Sequence, residues 1–99
     1  MDKLLDEIND LNNTVLGSLF FTKLFLEFIE DANIPLPDSI HIQPAGEIKL
    51  SWERYNVGIL VYRHEEYSVQ FWDEIINWSG LTDVDAHDKT LSKLDKLLE

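Results

Sequence analysis

The chain has no cysteine, and its 99 residues include only four glycines, three prolines and eight basic side chains. Each shortage removes a class of chemistry. Without thiols there is no thiol nucleophile, no CxxC redox pair and no thiolate zinc site, which suits a reducing compartment. Four glycines leave little material for a phosphate cradle, and no P-loop, GxGxxG or GxSxG run occurs. Eight Lys and Arg against nineteen Asp and Glu give a formal charge of −11. Direct binding to DNA, RNA or an anionic membrane is therefore not expected, because phosphate contact relies on Lys and Arg. No apolar run reaches the ~18 to 20 residues of a membrane span. The first residues, Met1-Asp2-Lys3-Leu4-Leu5-Asp6-Glu7, are acidic where a secretory signal needs positive charge. These features predict a soluble, cytoplasmic protein.

What is present is a packed domain. Ninety-nine residues suffice for one core and are too few for two, so residues 1–99 are read as a single domain, and three Trp and five Phe imply a filled interior. The densest apolar stretch is Val15 to Ile29, VLGSLFFTKLFLEFI. On a helical wheel its apolar side chains span roughly 220°, well beyond an ordinary core-facing stripe of ~100°. Such a helix needs cover from more than one side: a sheet plus another helix, or a second chain. Ahead of it, Leu4, Leu5, Ile8 and Leu11 fit an amphipathic helix. Asn12-Asn13-Thr14 is a candidate break, and one bent helix or two both fit residues 1–32. Pro35 and Pro37 predict a helix end near Ala32-Asn33.

Past the prolines the period changes to two. Ile40 and Ile42 alternate, as do Ile48, Leu50 and Trp52, and as do Tyr67, Val69 and Phe71, while Val57 to Tyr62 is apolar throughout. Short turns at Pro44-Ala45-Gly46, Arg54-Tyr55-Asn56 and His64-Glu65-Glu66 join the four runs as hairpins. The all-apolar run predicts a central strand. Asp73 to Trp78 reads as a short helix ended by Gly80. Asp83 and Asp88 are candidate caps for a last helix carrying Leu91, Leu94, Leu97 and Leu98. The expected fold is α+β: N-terminal helices packed on a four-stranded antiparallel β-meander, with C-terminal helical segments.

The run Pro44-Ala45-Gly46-Glu47-Ile48-Lys49-Leu50-Ser51-Trp52-Glu53 resembles a P-x-G-x-I-x-L-x-W-E hairpin of small, uncharacterised prokaryotic α+β proteins. That resemblance implies a Gly turn followed by a strand ending in a Trp anchor, and no activity.

Chemistry-bearing residues are scattered. His41, His64 and His87 fall on a strand, a turn and a loop, with no partner spacing for acid–base work. Asp83, Asp85 and Asp88 beside His87 invite a divalent-cation reading, but the run lacks the Gly and the terminal Glu of a calcium loop, and helix capping explains the same acids. No enzyme activity, metal or cofactor is expected.

Charge and aromatic content point instead to a protein partner. Residues 1–38 hold eight acids and two bases, residues 39–63 two and three, and residues 64–99 nine and three, so the acidity sits in the flanks. The rows Asp2, Asp6, Asp10 and Glu27, Glu30, Asp31 are candidate contacts for a basic protein that normally grips nucleic acid. Tyr62 and Trp72, expected on the sheet face away from the organising helix, are candidate apolar anchors. Two readings of that outer face stand side by side: a second small core closed by the last helix, or an exposed aromatic patch. In size, acidity and lack of cysteine the chain is similar to phage-encoded antagonists of bacterial nucleic-acid defence systems and to immunity proteins or antitoxins. An inhibitor of this kind is the expected function. The alternative is a homodimeric structural protein using the surplus arc of the organising helix at Leu16, Phe20 and Leu24.

Overall fold

The computed structural model describes residues 16–44, 46–63 and 65–99, with Leu16 described in its backbone alone. Helix α1, Leu16–Asp31, is followed by strands β1 Ser39–Ile42, β2 Ile48–Trp52, β3 Val57–Arg63, β4 Tyr67–Gln70 and β5 Ile75–Trp78, and then by helix α2, Val84–Leu97. The strands form one antiparallel sheet in the order β1-β2-β3-β4-β5. The all-apolar strand β3 is central, as its composition predicts.

The fifth strand corrects the expected helix at Asp73 to Trp78, and the meander has five strands rather than four. A six-residue segment gains little as an isolated helix. As a strand it sends Ile76 and Trp78 into the core, opposite Val69 and Tyr67, and leaves Ile75 and Asn77 outside. The tight β4–β5 turn closes by a bond from the Phe71 N–H to the Glu74 carbonyl. On the outer face the Ser68 hydroxyl meets the Asn77 side chain at 2.8 Å.

Helix α1 ends where Pro35 requires. Asn33 takes a left-handed φ of 58°, its N–H bonds the Glu30 carbonyl, and the Ile34 N–H reaches back to that of Ile29. This is the Schellman arrangement, which satisfies the last carbonyls of the helix and here folds Ile34 onto the core. Trp52 then anchors the proline loop by donating its indole N–H to the Pro35 carbonyl at 2.7 Å.

Both helices pack on the same face of the sheet. Phe21, Phe25, Leu26 and Ile29 of α1 are fully buried with Ile48, Leu50, Val61, Val69 and Trp78 from the strands. Helix α2 lies beside α1 and packs on β5, contributing Ala86, Leu94 and, just past its end, Leu98 to the same core. Trp78 joins the sheet to both helices. Its ring meets Phe21 edge-on at 5.1 Å, Phe28 stacked at 6.2 Å and His87 edge-on at 5.7 Å, and its indole N–H donates to the Thr90 hydroxyl at 3.1 Å. The flank of α1 at Phe28 is thus covered by His87, whose ring lies 4.6 Å away. The other flank stays partly open, with Phe20 53% exposed and Leu24 half-buried.

Candidate functional site

With both helices on one face, the opposite face of the sheet has no helical cover among the described residues. The last helix, which would close a second core there, packs on the other side instead. Strand register arranges the open face as a grid. His41, Lys49, Leu60, Gln70 and Ile75 stand in one row across all five strands. A second row runs Ser39, Ser51 and Gly58. Trp72 lies just past the end of β4, where continued pairing would set it opposite Gly58.

Gly58 has no side chain to fill that row, and the face dips there. A trough of about 330 Å³ runs from Gln43 and Glu47 past Lys49 and Leu60 to Gln70 and Trp72. A polar hollow of about 300 Å³ adjoins it beside Ser39, His41, Ser51 and Asn56, with Lys49 and Gly58 belonging to both. The Lys49 stem lies across Gly58: a Cβ built there would meet Lys49 Cε at 3.3 Å. Trp72 is 84% exposed and Ile75 50%, the largest uncovered apolar side chains on this face. Such a grouping of aromatic, aliphatic, amide and ammonium groups can bind by desolvation and hydrogen bonding.

Trp72 sits on an ion-paired turn. Its neighbours Asp73 and Glu74 both accept from Lys93 Nζ of α2, at 2.8 Å and 2.7 Å, and Lys89 approaches Glu74 at 3.4 Å. The Lys93 ammonium also sits 5.2 Å over the Phe71 ring. Hydrogen bonds from Lys93 hold the Asp73 and Glu74 carboxyls below the usual carboxylate range and, reciprocally, raise Lys93. This cluster ties the β4–β5 turn, which carries Trp72, to α2.

The expected contact residues divide between two surfaces. Tyr62 is half-buried on the open face, in line with Ser68, and Trp72 stands at the edge of that face. Glu27, Glu30 and Asp31 are exposed on α1, on the side of the helix layer facing away from the sheet. Asp2, Asp6 and Asp10 lie outside the described residues, as does His64. Among the described residues, Glu27, Glu30 and Asp31 do not share a surface with Tyr62 and Trp72. Ile75 was missed as a surface residue because Asp73 to Trp78 reads as a helix; the alternation of Ile75 and Asn77 with Ile76 and Trp78 was the available signal.

Asp83 is a helix cap. One carboxylate oxygen accepts from the Ala86 N–H at 3.1 Å, the other from the Ser79 N–H at 2.9 Å and the Ser79 hydroxyl at 3.0 Å. These bonds, the Ser79 N–H first, hold its carboxyl below the usual range. Among the described residues no three His, Asp or Glu side chains are placed to hold a metal ion. Comparison with protein-family models, with curated proteins and with solved structures gives no match, so the functional reading rests on this surface.

Proposed function

We propose that this protein is a small acidic inhibitor that binds a basic protein partner through the open face of its sheet. The observation that carries the reading is Trp72, 84% exposed beside the half-exposed Ile75 on a face that neither helix covers. A large aromatic side chain left in water and carried on an ion-paired turn fits an interface anchor, since buried aromatics dominate binding energy in most interfaces.

The charge of −11 supports a basic partner such as a protein that grips nucleic acid, and the two-sided layout divides the work. The open face supplies the desolvated contact, which governs how slowly the complex separates. Glu27, Glu30 and Asp31 stand on the far side, so they contribute to the long-range field that speeds encounter. A phage antagonist of a nucleic-acid-targeting defence system and a toxin-neutralising immunity protein are the biological settings this chemistry fits. A homodimer through α1 would rest on Phe20 and Leu24, of which Phe20 is 53% exposed.

The test is capture of a partner from lysate of the native host at low and high salt, followed by mass spectrometry. A retained basic protein whose association slows steeply with salt, and which loses its nucleic acid on binding, supports the proposal. Retention of nothing at low salt, or of an acidic protein, overturns it.

A further inference from the structure

We propose that the free edge of β1 pairs with β1 of a second copy, joining two sheets into one across a two-fold axis. Among the described residues only β2 neighbours β1. The Gln43 N–H donates to the Glu47 carbonyl at 2.7 Å, and in an antiparallel pair the bonded positions alternate. His41 with Lys49 and Ser39 with Ser51 are therefore the bonded pairs in the observed register. The Asp38 N–H is also spent on the Ser51 carbonyl, at 2.7 Å. The N–H and C=O groups of Ile40 and Ile42 point the other way, off the sheet. Among the described residues no turn or loop backbone bonds to them.

That edge is self-complementary. Antiparallel pairing centred on His41 sets Ile40 opposite Ile42 of the second copy and Ile42 opposite Ile40 of the second copy, so all four outward groups of each strand find partners. Moving the register by two residues brings in Pro44, which has no N–H, or Asp38, whose N–H is already used. A one-residue slip puts the wrong side chains on each face. The prolines that bound β1 do not block pairing; they leave it one frame. On the core side Ile42, half-buried in the single chain, gains cover. On the outer side His41 faces His41 of the second copy, and the two open faces with their Trp72 anchors lie on one continuous sheet. This pairing stands independently of the partner-binding proposal and uses a different surface from α1.

Sedimentation of the full chain tests it, from about 1 to about 500 µM and in about 0.5 M salt to screen the mutual repulsion of two acidic copies. The expected result is a reversible monomer–dimer equilibrium. His41→Glu and His41→Lys, both at an exposed position, each set like charges against each other at the axis and weaken the dimer at least about tenfold. Mixing the two variants restores a heterodimer. A wild-type chain that stays monomeric throughout overturns the proposal. So does a dimer that both His41 variants leave intact, or one abolished by Phe20→Ser, which would assign the contact to α1.

Discussion

Trp78→Ala removes a side chain of the sheet that touches both α1 and α2. Trp78 is fully buried, packs on Phe21, Phe25, Phe28 and His87, and donates to Thr90. Emptying such a site costs about 3 to 5 kcal/mol from lost transfer energy and the cavity left behind. That is a large share of the ~5 to 15 kcal/mol that holds a domain of this size together. Trp78→Phe keeps most ring contacts and loses the indole N–H, so its cost should be nearer 1 to 2 kcal/mol, on the order of one hydrogen bond plus a small void. Urea unfolding followed by far-ultraviolet circular dichroism measures both without depending on tryptophan emission. A loss below about 1.5 kcal/mol for Trp78→Ala would refute the claim that this residue couples the sheet to both helices, because a peripheral contact costs that little.

Three further outcomes follow from particular contacts. Asp83→Ala should lower the urea midpoint, because the first turn of α2 loses its cap. The carboxyls of Asp73, Glu74 and Asp83 are held low, so their stabilisation is complete above the ordinary carboxylate range and is lost as pH falls through and below it. Lys93→Met should lower the melting temperature at neutral pH and flatten its decline on the acid side, as seen in melting curves between about pH 2 and 7; an unchanged acid limb would show that the cluster contributes nothing. The combined variant Glu27→Gln, Glu30→Gln, Asp31→Asn should slow partner association at low salt and leave dissociation unchanged, which surface plasmon resonance separates.

Much of this architecture was legible because local chemistry and tertiary packing agree. Pro35 and Asn33 mark the end of α1 by backbone geometry alone, and strand β2 alternates because one face is buried and the other is not; on β4 the outer Ser68 is buried as well as Val69. Asp83 caps α2 because its side chain reaches back to its own first turn, a purely local bond. Strand β5 was hidden for the opposite reason. Asp73-Glu74 ahead of Ile75-Ile76, with Gly80 behind, has the local grammar of a short helix, and only pairing with β4 selects the strand. The side on which α2 lies was equally hidden: its leucine stripe requires a partner surface without naming one. That choice rests on the Trp78 to Thr90 bond and on the Lys93 cluster, both long-range. The outer face, and with it the candidate site, depends on that choice, which is why the sequence admits two readings of the outer aromatics.

The claim that Trp72 is an interface anchor, and not a structural residue, is tested most directly by Trp72→Ala, with stability and partner retention measured on the same preparation. The indole is 84% exposed, so unfolding free energy should change by no more than about 0.5 kcal/mol. Loss of an aromatic anchor costs a complex about 2 kcal/mol or more, so dissociation should accelerate roughly thirtyfold. A variant that is as stable as the wild type and releases its partner at the wild-type rate would contradict the account.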